Sequence, residues 1–349
     1  MTNAVDYLRH AALSLSLALL AAFAAPTAFA ASITVDPSAI DAAVAGDGKC
    51  SLREAVLSVN AGANVGDCVA TVLEAYGTKD TLNLPAGVYT LTRIGVDETF
   101  VDAQPGNSAA VPTVSNVADA TVGDLDLLKS VKIIGAGAGS TTITWSNDDG
   151  VTRDRLFHIN AATGTVAVSM QGLTLSNGLT QESLIKVGPR SSFGLLPTLY
   201  YLRRAGGAVA VGPAAAVVLA DLNKTGQLNT EGRGGSKKPG TTGADGGATL
   251  TLEMKQVTIA RNLAGADGAT EGSGINTIPS ASNLVTLKNV LLSDNRKGYT
   301  DGMSAAVIAA LPSANCGSTG SSLNVSSRGF NVSSDGSCQS VLNLAGDQA

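Results

Sequence analysis

Three carboxylates and two guanidinium groups fall within nine residues of this chain, in Asn147-Asp148-Asp149-Gly150-Val151-Thr152-Arg153-Asp154-Arg155. Gathered carboxylates are what a calcium ion takes as ligands, and an arginine beside them would supply the base of a calcium-assisted lyase on an acidic polysaccharide. A hydrolase would instead use two carboxylates as acid and base, about 6.5 to 9.5 Å apart for inversion and closer for retention. Asp148, Asp149, Arg153, Asp154 and Arg155 are therefore the candidate catalytic residues. Against them stands turn chemistry, because Asn-Asp-Asp-Gly suits a tight connection between two strands. Adjacent strand residues also point to opposite faces, which would separate Asp148 from Asp149. No confident catalytic set results, and no cofactor is expected unless calcium serves a lyase.

Nucleophilic catalysis fares worse. His158 sits between apolar neighbours in Phe157-His158-Ile159, which reads as a strand, and His10 is the chain's other histidine. With no second imidazole in the mature chain and no Gly-x-Ser-x-Gly elbow, a serine triad cannot be assembled. Metal chemistry is weak too. The four cysteines, Cys50, Cys68, Cys316 and Cys338, contain no C-x-x-C pair and have one histidine to join them. They allow three disulfide connectivities. Their positions at opposite ends favour the local pairs Cys50 with Cys68 and Cys316 with Cys338, each worth about 3 kcal/mol in the chain-entropy account.

Composition narrows the class further. Residues 1–30 read as a signal peptide: Arg9 and His10, an apolar run, then Ala28-Phe29-Ala30. That run is shorter than the ~20 residues a membrane span needs, and no later segment supplies one, so the mature chain is expected to lack a transmembrane segment. Removing residues 1–30 takes one basic and one acidic residue, so the net charge stays at −5. A chain without basic excess is not expected to bind nucleic acid. Only 15% of residues are charged and 40 are glycine, which suits short strands joined by frequent turns. Export places the protein outside the cell, on its surface or in the periplasm, where disulfides persist.

The most informative segment follows the leader. Ser51 and Glu54 form a capping box, and Leu52, Ala55, Val56 and Val59 recur at helical spacing on one face. Asn60 and Gly62 close this short helix. Cys50-Ser51-Leu52-Arg53-Glu54-Ala55 matches the motif that names the CSLREA family of exported bacterial proteins, and the chain resembles them also in its glycine ahead of Cys50. The resemblance implies a right-handed parallel β-helix of the pectin-lyase-like type, with residues 31–79 as its amino-terminal capping region. It implies little about chemistry.

Spacing supports the same architecture. Val168, Met170, Leu173 and Leu175 step by 2, 3 and 2. Leu252, Met254, Val257 and Ile259 repeat this 84 residues later, and Val285, Leu287, Val290 and Leu292 repeat it after a further 33. Steps of two are strand periodicity, and the step of three is a bend between strands. Repeated units of this kind stack into a solenoid. Asn262 and Asn295 stand three residues beyond the last member of their copies, Asn177 two beyond its own. Such asparagines are expected to bond to one another and to backbone.

The predicted organisation is an all-β chain with a solenoid over 80–311, preceded by the short capping helix. Loop excursions fall near 95–123 and 222–248, and a disulfide-linked segment spans 312–349. The stretch Gly329-Phe330-Asn331 to Cys338 is similar to one that follows the repeats in CSLREA proteins. No hydrophobic tail follows Cys338 before Ala349, so an anchor is not expected in this chain, and a front fragment of a longer anchored protein is the other reading. Three functions stay open: a structural or adhesin-like module for glycans or surface proteins, a lyase or glycosidase on acidic polysaccharide, or that front fragment.

Overall fold

The computed structural model describes residues 30–71, 75–77, 79–95, 98–101, 113–116, 119–146, 153–161, 164–180, 184–190, 197–202, 207–212, 216–221, 248–265, 273–277, 283–300, 302–318 and 324–349. Parallel strands dominate. The main sheet runs Ser32–Thr34, Asp80–Leu84, Val131–Gly135, Thr165–Ser176, Thr249–Ala260, Leu284–Lys288 and Val325–Ser327. A second parallel sheet runs Leu125–Leu127, Phe157–Ile159, Val209–Val211, Ile275–Thr277 and Cys316–Ser318. A third, narrow one joins Leu179–Thr180, Leu263–Gly265 and Arg296–Tyr299. In each, spatial order follows chain order. Antiparallel pairs occur at Glu98–Val101 with Thr113–Asn116 and among Leu184–Arg190, Pro197–Leu202 and Ala216–Asp221.

The 2, 3, 2 spacing is the register of the main sheet. Val168 pairs with Leu252 and Leu252 with Val285, 84 and 33 residues on. Its three-residue step contains one left-handed residue, Gly172 (φ 65°), Gln256 (φ 54°) or Asn289 (φ 53°). That residue re-aims the chain, so the next pair of apolar side chains again faces inward. Leu82, Ile133, Met170, Met254 and Leu287 stack strand upon strand, each fully buried, and Ile143, Leu175, Ile259 and Leu292 form a second stack. Leu125, Phe157, Val209 and Ile275 from the second sheet join the same core. Cutting one such leucine to alanine costs about 2 to 5 kcal/mol.

A polar column runs beside this core. Asn262 Nδ2 donates to Asn295 Oδ1 at 2.8 Å, and Asn295 Nδ2 to Asn315 Oδ1 at 2.7 Å. Asn315 Nδ2 then donates to Ser333 Oγ at 2.9 Å. Asn177 does not belong to it. It takes a left-handed turn position (φ 59°), and Gly178 occupies the column instead, donating its N–H to Asn262 Oδ1 at 2.9 Å. No other residue fits there, because a Cβ on Gly178 would lie 1.8 Å from the Gly207 carbonyl oxygen.

The amino-terminal helix spans Leu52–Ala61, with Ser51 and Glu54 forming both bonds of the capping box and Gly62 as a left-handed C-cap (φ 67°). Leu52, Ala55, Val56 and Val59 are buried in the core. Both local disulfides are present, Cys50–Cys68 and Cys316–Cys338. Among the described residues no helix is long and apolar enough to cross a membrane.

Candidate functional site

Alternation on the second sheet turns one row of side chains away from the core. Leu125 and Leu127 face inward, so Asp126 faces outward, and the register sets His158 beside it, with Ala210 and then Asn276 on the strands beyond. This row is covered as well: Asp126, Asn276 and Ala210 are inaccessible and His158 is 1% exposed. His158 Nδ1 lies 3.2 Å from Asp126 Oδ1, an electrostatic contact short of an aligned hydrogen bond, and its Nε2 lies 2.6 Å from the Gly212 carbonyl oxygen.

A second charged group adjoins the row. Arg155 Nε pairs with Asp124 Oδ2, and the Asp154 carboxylate accepts the Arg155 N–H at 2.8 Å. Burial pushes the Asp124 carboxyl up to about 8, against the pull of the Arg155 guanidinium, with Asp126 and Asp154 adding to the rise. An acid whose affinity for its proton is raised this far is the kind of group general acid catalysis uses. Yet Asp124 is inaccessible, Arg155 is 2% exposed and Asp154 7%. A polymer cannot reach it.

The candidate catalytic residues divide accordingly. Asp148 and Asp149 lie outside the described residues. Arg153 is half-buried. Asp154 and Arg155 are brought together, but their backbone also serves the fold: the Asp154 carbonyl accepts from Leu179 and the Arg155 carbonyl from Trp145 Nε1, both at 2.9 Å. Asp124 and Asp126 were absent from the candidates. Their signal was the alternation in Asp124-Leu125-Asp126-Leu127, a strand hidden at the end of an irregular stretch. Among the described residues no group of three His, Cys, Asp or Glu side chains is placed to hold a metal ion.

The motif residues seal this sheet from below. Arg53, fully buried, donates from Nη1 to the Ala120 carbonyl at 2.8 Å and from Nη2 to the Gly123 carbonyl at 3.0 Å, while its Nε meets Asp41 Oδ1 at 2.7 Å. Glu54 completes the capping box and also accepts the Ala45 N–H at 2.8 Å. Each motif side chain thus has a partner in the fold.

The outward face of the main sheet offers accessible polar groups. One row across its strands reads Thr81, Lys132, Ser169, Glu253 and Thr286. The next reads Asn83, Ile134, Gln171, Lys255 and Lys288. All are half-buried or exposed.

No protein-family model matches this chain, and no curated protein matches it. Among solved structures, ORF18 of Geobacillus virus E2 aligns over 83% of this chain at 13% identity with a TM-score of 0.21. The chain spans about half (52%) of that protein's length.

Proposed function

We propose that this chain is an exported right-handed parallel β-helix of the CSLREA type, and that it acts as a binding module whose ligand-facing surface is the outward face of the main sheet. Three parallel sheets with matched chain order support the coil reading, and parallel crossovers are right-handed in about 98% of cases. Disulfides at both ends suit an oxidising compartment.

One observation carries the binding reading over the enzymatic one. Among the described residues, the clustered Asp124, Asp126, Asp154, Arg155 and His158 are walled in at 7% exposure or less, whereas the main sheet turns regular rows of Thr, Ser, Asn, Gln and Lys to solvent. Flat polar rows of fixed spacing present hydrogen-bonding groups to a glycan with little ordering cost. A glycan array and a panel of polysaccharide digests test both readings together. Binding without release of unsaturated or reducing ends is the expected result. Release of unsaturated ends, lost on Arg155→Ala in a folded variant, would install the lyase instead.

A further inference from the structure

The strand that opens the main sheet, Ser32–Thr34, begins directly behind a buried main-chain nitrogen. The Ala31 N–H donates to Asp80 Oδ1 at 2.8 Å, and the Ala31 carbonyl accepts the Thr81 N–H at 2.7 Å. Ser32 then pairs with Thr81 and Ile33 with Leu82, so Ala31 is pinned on both sides. Ala31 and Asp80 are both buried.

The Asp80 carboxylate is incompletely matched there. Its Oδ1 also accepts the Gly77 N–H at 2.9 Å, but its Oδ2, equally buried, has no donor. Among the described residues no lysine, arginine or histidine pairs with Asp80, and Lys79 beside it is exposed. Burial raises the Tyr76 hydroxyl above its usual range, and the nearby Asp80 charge adds to the rise. A buried carboxylate without a cation is among the costly features of a fold.

The missing cation is one that the chain can make for itself. Ala28-Phe29-Ala30 ends the segment read as a leader, and the bond it offers for cleavage is Ala30–Ala31. Hydrolysis there gives the water oxygen to the Ala30 carbonyl, which leaves as a carboxylate on the leader. Both water protons end on the Ala31 nitrogen, which becomes an α-ammonium. An amide gives Asp80 one donor and no charge, whereas an ammonium gives several donors and a full positive charge. A nitrogen 2.8 Å from Oδ1 can then turn a second N–H toward Oδ2 of the same carboxylate.

We infer that cleavage at Ala30–Ala31 builds a buried ion pair between the new amino terminus and Asp80, which locks the first strand of the main sheet. The inference rests on the export reading and adds to it a maturation site with a named receptor. The scissile bond is itself sheltered in the folded chain, since Ala31 is inaccessible and Ala30 half-buried. Cleavage by a leader peptidase therefore precedes the docking of Ser32–Thr34, and the precursor is the looser of the two forms.

The test expresses the full chain, leader included, in an exporting bacterium and reads the amino terminus of the product by mass spectrometry. Ala31 is the expected first residue. A second precursor carries Ser-Thr inserted between Ala30 and Ala31, so that Ala31 keeps an amide nitrogen after processing. The insertion should raise the unfolding equilibrium constant in urea about 10- to 100-fold, the worth of a hydrogen bond to a charged group. Asp80→Asn should cost the parent about as much and the inserted form little, because only the parent has an ammonium to strand. Additive effects of the two changes overturn the inference. Where Asp80→Asn fails to fold, amine labelling of the native proteins decides without it. The Ala31 ammonium of the parent should stay unmodified while the inserted serine reacts, and equal labelling overturns the inference. A mature chain that starts elsewhere than Ala31 overturns it yet leaves export standing, whereas a chain neither exported nor cleaved removes both.

Discussion

The carboxamide of Asn60 completes the edge of a β-sheet to which its own helix does not belong. Its Nδ2 donates to the Asp126 carbonyl at 2.7 Å and its Oδ1 accepts the Leu128 N–H at 3.0 Å. These are the two groups that the edge strand Leu125–Leu127 of the second sheet and the residue after it would offer to a further strand. One side chain thus supplies a donor and an acceptor, and the helix it comes from covers the open end.

Asn60→Ala should leave both backbone groups without a partner, at a cost of about 1 to 3 kcal/mol for each that stays buried. Asn60→Asp keeps the acceptor for Leu128 but loses the donor to Asp126, so its cost should be intermediate at the Leu128 amide. Hydrogen exchange at Leu128 reads the difference. Equal protection of that amide in the alanine variant and the parent would remove Asn60 from this role.

A proton at Asp124 links stability to pH. Burial raises this carboxyl from 3.8 to about 8, so between those values the folded chain holds a proton that the unfolded chain has lost. Stability from this group is present below pH 4 and drains away as pH climbs through 8. The melting temperature should fall by several degrees from pH 5 to 8.5, and Asp124→Asn, which cannot titrate, should flatten that fall. An identical slope in the variant would place the dependence elsewhere.

Much of the core of the main parallel sheet could be read from residue spacing, because a local rule generates it. A strand alternates, one left-handed residue turns it, and Val168, Leu252 and Val285 then mark the same position in three copies. The capping box was legible for the same reason: Ser51 and Glu54 are three residues apart. The buried polar cluster was not. Arg53 meets carbonyls about 70 residues away, and Asp126 meets His158 only once two short strands pair. Nothing local to Asp124-Leu125-Asp126 distinguishes a buried acid from an exposed one. Asn177 shows the converse, since a plausible match by residue type was displaced by Gly178 on steric grounds.

The Cys50–Cys68 bond ties the helix start to the loop behind it, 18 residues on. Closing a loop of that size contributes about 3 kcal/mol in the chain-entropy account. Cys50→Ser with Cys68→Ser should therefore loosen the amino-terminal end first, with exchange rising at Ser32–Thr34 and Leu52–Ala61 while Ile275–Thr277 stays protected. Uniform loss of protection would mean that the helix is not a separable cap.

The asparagine column predicts an asymmetry between its members. Asn295 is fully buried and serves both neighbours: its Oδ1 accepts the Asn262 side chain and, at 3.1 Å, the Asn262 N–H, while its Nδ2 donates to Asn315 and, at 2.9 Å, to the Ile259 carbonyl. Asn295→Leu should break four hydrogen bonds at once, leaving the Asn262 N–H without its acceptor while the Asn262 and Asn315 carboxamides keep backbone partners, and cost several kcal/mol, more than a surface change. Asn295→Asp keeps the two acceptor contacts and loses the two donations, so it should fall between leucine and the parent in urea melts. Gly178→Ala strikes the column's other end by sterics alone, and its penalty should exceed that of Asn295→Asp because backbone must move to admit the methyl group. A Gly178→Ala protein as stable as the parent would show that the close approach to Gly207 is not required.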